Sequence, residues 1–76
     1  MRIPRDLTGK ELINALSELG YEVTRQSGSH IRLTTSRNGT HHVTIPDHRP
    51  IKVGTLASIL ADIATHHQVT RDELLS

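Results

Sequence analysis

YEVTRQSGSHIRLTTSRNGTHHVTI, residues 21–45, is the stretch whose reading decides the fold. It contains three runs in which apolar and polar residues alternate. In the first, Tyr21 and Val23 fall on one side and Glu22, Thr24 and Gln26 on the other. Ser27-Gly28-Ser29 then breaks the pattern. His30 to Thr35 alternates again, with Ile31 and Leu33 apolar and His30, Arg32 and Thr34 polar. Asn38-Gly39 is a hairpin signal, because both residues tolerate positive φ. In the third run, His41 to Ile45, Val43 and Ile45 are apolar and His42 and Thr44 polar. A period of two with short connections predicts an antiparallel meander with one apolar and one wet face. The wet face is expected to carry Glu22, Thr24, Gln26, His30, Arg32, Thr34, His42 and Thr44.

Outside the meander the period changes. Met1 to Leu7 reads as a short lead-in. Thr8-Gly9-Lys10-Glu11 is a capping box, in which the Thr8 hydroxyl takes an N–H at the helix start and Glu11 reaches back to the Thr8 amide. Leu12, Ile13, Leu16 and Leu19 follow at helical spacing, and Gly20 suits a left-handed stop. This predicts a helix over about Gly9 to Leu19. After a loop at Pro46 to Pro50, Leu56, Ile59, Leu60, Ile63 and Ala64 form one stripe, predicting a helix from near Val53 to about His67. Thr70-Arg71-Asp72-Glu73 is a second capping box before Leu74 and Leu75. Both helices have one apolar stripe, so the economical packing sets both on the apolar sheet face. The expected fold is α+β, helix–three-stranded antiparallel sheet–helix, one domain over residues 1–76.

Composition bounds what this domain can do. Leu, Ile and Val supply 20 of the 76 residues, enough for a folded but thin core. No run approaches the ~18 apolar residues of a membrane span, and no secretory leader pattern opens the chain, so a cytoplasmic location is expected. The absence of cysteine removes thiolate metal sites, disulfides and cysteine catalysis. Net charge is +1, which neither demands nor excludes nucleic acid, and Tyr21 is the single aromatic among Phe, Trp and Tyr, which argues against a base-stacking platform.

The candidate chemistry centres on His30, at the mouth of a tight turn and off the core. Imidazole is suited to moving protons near neutral pH. Arg25 and Arg32 could hold a phosphate, and the amides of Gly28 and Ser29 could add donors to an anion. Together these groups could support cleavage of an RNA phosphodiester by its own 2′-hydroxyl. An exposed strand histidine with no role fits the same pattern. Lys10 and Lys52 sit near helix N-termini, where anions are favoured. A nucleic-acid face would need Lys10, Arg25, Arg32 and Arg37 to converge. Arg2, Arg5 and Arg71 read as ordinary surface. His41 and His42 point to opposite sides of a strand, and His66 and His67 diverge by about 100° on a helix. No pair has the spacing of a helical metal site, and these histidines read as surface residues, with His48 a polar anchor for its loop.

The ordered set of Lys10-Glu11-Leu12-Ile13, Leu19-Gly20-Tyr21, Arg25-Gln26-Ser27-Gly28-Ser29-His30, Val43-Thr44-Ile45-Pro46-Asp47-His48, Gly54-Thr55-Leu56-Ala57-Ser58-Ile59-Leu60 and Thr70-Arg71-Asp72-Glu73-Leu74-Leu75 resembles the HicA toxins, the small ribonuclease halves of HicA–HicB toxin–antitoxin pairs. The resemblance implies a fold like that of double-stranded-RNA-binding domains, with the Gly-Ser-His histidine, His30 here, as the catalytic residue. It implies cleavage of messenger RNA with no metal or other cofactor, and a HicB-like antitoxin that covers the histidine. Lys10, Arg25, Gly28, Ser29, Arg32 and Arg37 are the expected RNA contacts. Ile31-Arg32-Leu33-Thr34 departs from the further aromatic or basic residues that follow the motif in many members. The competing readings are a non-catalytic double-stranded-RNA-binding module, a protein-interaction domain, and a metal-dependent hydrolase.

Overall fold

The computed structural model describes residues 6–75; Arg2 and Arg5 lie outside the described residues. Helix α1 covers Gly9–Leu16 and tightens into a 3₁₀ turn at Ser17–Leu19. Its capping box is complete: Thr8 Oγ1 accepts from the Glu11 amide at 3.1 Å, and the Thr8 amide donates to Glu11 Oε1 at 3.0 Å. Gly20, at φ +82°, ends the turn in the left-handed region that favours glycine. Three strands follow, β1 (Glu22–Ser27), β2 (His30–Thr35) and β3 (His41–Pro46), then α2 (Val53–His67) and the short α3 (Arg71–Leu75). The Thr70–Glu73 box starts α3 as expected, with the Glu73 amide donating to Thr70 Oγ1 at 3.1 Å.

The sheet is antiparallel in the order β1-β2-β3. Leu12 and Leu16 of α1 and Ile59, Leu60 and Ile63 of α2 are buried with Ile31, Leu33, Val43 and Ile45 of β2 and β3. Both helices therefore lie on one sheet face, and each fully buried aliphatic contributes about 1.5–3 kcal/mol by leaving water. Leu7 joins this core at 3% exposure, and its carbonyl accepts from the Ile51 amide at 2.8 Å. The lead-in is thus pinned by burial at its C-terminal end.

Two expectations about the first strand are corrected. The alternation does not run through it: Val23 pairs with Leu33, but Arg25 pairs with Arg32, so a bulge at Thr24 shifts the phase. Arg25 joins the wet face opposite Arg32, and Gln26 moves to the other face opposite Ile31. Nor does Val23 enter the core. It is 53% exposed, because the helices pack over β3 and leave β1 uncovered, with every β1 residue exposed.

The opposite end of β2 is set by α1. Gly9 is buried against Pro46, and a Cβ at Gly9 would collide with the Pro46 carbonyl oxygen. Its amide donates to the His48 carbonyl at 3.1 Å. His48 thus anchors its loop through its backbone, and its imidazole is exposed, contrary to the expected side-chain anchor. The helix start, the end of β3 and the start of β2 meet at one end of the sheet.

Candidate functional site

His30 opens the central strand. It pairs with Ser27 on one side and Pro46 on the other, so it is flanked by both neighbouring strands, and its side chain stands exposed on the wet face. The register puts Arg32 two residues along the same face, with Arg25 directly across from it. Directly opposed Cβ atoms lie about 4.5–5.5 Å apart, within reach of one phosphate group for two guanidinium side chains. Without the bulge, Arg25 would point to the other face.

The turn behind His30 is two residues long. Gly28 takes φ +58°, as the first central position of a type II′ hairpin requires. A Cβ at Gly28 would meet nothing within 4 Å, so the glycine is needed for its conformation and leaves the backbone open to a ligand. Both turn carbonyls are occupied: Gln26 Nε2 donates to Gly28 O at 3.3 Å, and the Asp47 amide donates to Ser29 O at 2.7 Å. Among the described residues, the Gly28 and Ser29 amides donate to no protein acceptor, and no hydrogen bond or ion pair engages the side chains of Arg25, His30 or Arg32. Two cations, an imidazole and two free amides thus share one water-facing corner. Such a corner favours an anion.

Residues 9–64, well over half of the chain and including this corner, match the family model described as HicA toxin of bacterial toxin-antitoxin. The chain belongs to the HicA toxin family. Searches of curated proteins and of solved structures returned no match. Membership of a toxin–antitoxin family implies an antitoxin partner. The described helices include none long and apolar enough to cross a membrane.

Of the other residues expected to contact RNA in this HicA chain, Lys10 is exposed in the first turn of α1, at the His30 end but within the helix layer. Arg37 lies beyond the far end of β2, where Nη1 donates to the Glu18 carbonyl at 2.8 Å and closes the 3₁₀ turn. The structure brings Arg25, Arg32, Gly28 and Ser29 to His30, and holds Arg37 away from it.

Three histidines expected at the surface converge instead. His41 and His67 flank the phenol of the buried Tyr21, and His66 packs on both of these imidazoles. Tyr21 Oη lies 2.7 Å from His41 Nδ1 and 3.0 Å from His67 Nε2, and His41 Nε2 lies 3.2 Å from Asp62 Oδ1. His66 stacks on His41 at 4.3 Å, and its Nε2–H donates to the Arg37 and Gly39 carbonyls. One consistent set of protons satisfies all of these: His41 Nε2–H donates to Asp62, Tyr21 O–H donates to His41 Nδ1, and His67 Nε2–H donates to Tyr21 Oη. Burial, with Asp62 adding to it, pushes the Tyr21 phenol up to about 12. Burial, then the charges of His66, His41 and Arg37, hold His67 below the ordinary imidazole value. This cluster ties the end of α2 to the sheet and to the Asn38-Gly39 hairpin. The signal was in the sequence: His41 has the parity of Val43 and Ile45, and His67 extends the stripe of Leu60 and Ile63.

Proposed function

We propose that this HicA-family protein is an endoribonuclease that cleaves messenger RNA in the cytoplasm without a metal ion, held in check by a HicB-like antitoxin that covers His30. The observation that carries this reading is the shared corner of Arg25, His30, Arg32 and the free Gly28 and Ser29 amides. The α–β–β–β–α order, like that of double-stranded-RNA-binding domains, is compatible with it.

In the proposed reaction the ribose 2′-oxygen attacks the adjacent phosphorus and the 5′-oxygen of the next nucleotide departs. The products are a 2′,3′-cyclic phosphate and a free 5′-hydroxyl. One proton leaves the 2′-hydroxyl and one joins the 5′-oxygen, and His30 carries out one of these two transfers while water completes the other. Arg25, Arg32 and the turn amides stabilise the charge that grows on the phosphorane oxygens. Part of this arrangement exists before the substrate arrives: the bulge sets Arg25 on the face of Arg32, and the Ser29 amide shares its peptide plane with the Gly28 carbonyl that Gln26 holds. That preorganisation makes such donors effective at the transition state.

The test is to incubate the antitoxin-free protein with a messenger transcript in excess chelator and to analyse the ends. The expected result is cleavage that leaves 2′,3′-cyclic phosphate and 5′-hydroxyl ends. Bound but intact RNA would replace this reading with that of a non-catalytic binding module. Activity restored only by adding a divalent cation would replace the mechanism.

A further inference from the structure

The wet face carries a second histidine that the proposed reaction does not use. His42 is exposed on β3, opposite Thr34 of β2, and shares the face of His30 and Arg32. It stands four residues along β3 from Pro46, the partner of His30, which is about 13 Å at the rise of an extended strand. A single row of hydrogen bonds fixes it. Thr24 Oγ1 donates to the Arg32 carbonyl at 3.4 Å, Thr24 and Thr34 share a hydroxyl contact of 2.9 Å, and Thr34 Oγ1 lies 2.8 Å from His42 Nδ1. The row crosses all three strands, and the Thr24 bulge is part of it.

Each hydroxyl has one proton to donate, so only one direction of the row keeps all three contacts. Thr24 spends its proton on the Arg32 carbonyl, which can only accept. Thr34 must then donate to Thr24. Nothing is left for His42, so His42 Nδ1–H must donate to Thr34. In the neutral imidazole this leaves Nε2 as a bare acceptor turned away from the row. An open depression lined by Glu22, Thr24, Thr34, Ser36 and Thr40 lies on the β1 side of the row, next to Thr34. The face therefore presents cations and free amides at the His30 end, and a fixed acceptor at the His42 end.

A nucleic-acid backbone has one group that donates to such an acceptor, the ribose 2′-hydroxyl, and it is the group that DNA lacks. We propose that His42 Nε2 accepts a hydrogen bond from a ribose 2′-hydroxyl of the same RNA strand whose scissile phosphate sits at His30, so that His42 makes the face select RNA over DNA. This rests on the ribonuclease reading above. His42 is a specificity-determining residue, and Thr34 and Thr24 position it.

The test uses the His30→Ala chain, so that the probe stays intact, and fluorescein-labelled RNA and DNA oligonucleotides of matching sequence. Adding His42→Ala should weaken RNA binding about tenfold, the scale of one hydrogen bond, and leave DNA binding unchanged. Thr34→Val should weaken RNA binding in the same selective way. Nitrogen-15 NMR of the wild-type chain should find His42 in the Nδ1–H tautomer. Equal weakening of RNA and DNA would make His42 a phosphate contact and overturn the proposal, as would unchanged RNA binding or the Nε2–H tautomer. If the His30→Ala chain binds neither nucleic acid while folded, the ribonuclease reading itself fails and this proposal falls with it.

Discussion

Removing one oxygen atom, in Tyr21→Phe, isolates the energy of the histidine cluster. The ring stays, so its packing in the core is kept. What is lost is the hydroxyl that lies 2.7 Å from His41 Nδ1 and 3.0 Å from His67 Nε2. Two hydrogen bonds at about 0.5–1.5 kcal/mol each give a loss of about 1–3 kcal/mol. The upper half of that range applies if the two imidazole nitrogens stay shielded from water, and Tyr21 is only 2% exposed. For a domain of this size each kcal/mol moves Tm by about 4–8 °C, so a fall of about 8–16 °C is expected for a loss near 2 kcal/mol. Urea unfolding at pH 7.5, followed by far-ultraviolet circular dichroism, measures it as a lower midpoint with an unchanged slope. Pairing Tyr21→Phe with His67→Asn in a double-mutant cycle should give a coupling of about 0.5–1.5 kcal/mol. A midpoint equal to that of the wild type would mean that the hydroxyl contributes nothing that water does not replace, and that the cluster does not stabilise the fold.

Acid should erode stability through the same cluster. His67 is held below its ordinary value of 6.5, so the unfolded chain takes up that proton first; its contribution is complete above about 6.5 and is lost as pH falls through the folded value. Urea midpoints between pH 7.5 and 5 should show this decline, and it should be shallower in His67→Gln. At the proposed active site, Arg25→Ala and Arg32→Ala should each lower the cleavage rate, by up to about a hundredfold for a lost transition-state donor, with the urea midpoint unchanged because both side chains are exposed. Gly9→Ala should destabilise by about 1–3 kcal/mol in urea unfolding, because the Pro46 backbone stands where the new methyl would go and must move.

Most of the fold was legible because local chemistry and long-range packing agree. The two capping boxes marked helix starts by a hydroxyl and a carboxylate three residues apart, and both form. The period of two marked β2 without error, since β2 is central and its Ile31 and Leu33 are buried. It misled at β1. That edge strand lies outside the helix cover, so burial does not enforce its phase, and the Thr24 bulge has no glycine or proline to announce it. The cost fell on the site, because the bulge is what puts Arg25 beside Arg32. Charge alone groups Arg37 with the RNA contacts, but it follows the far end of β2 and binds the Glu18 carbonyl. The histidine cluster needed a link that periodicity does not give. Tyr21 and His67 are 46 residues apart, and only the docking of α2 on the sheet brings them together.

The central claim is that His30 moves a proton in a metal-free cleavage of RNA. It is tested most directly by the single-turnover cleavage rates of the wild type and His30→Ala in excess chelator. The exposed His30 side chain makes no contact that the fold depends on, so the variant should keep its circular dichroism and urea midpoint. The rate should be about 10²–10⁴-fold lower for the variant, the usual contribution of a general acid or base. Equal rates for the two folded proteins would contradict it.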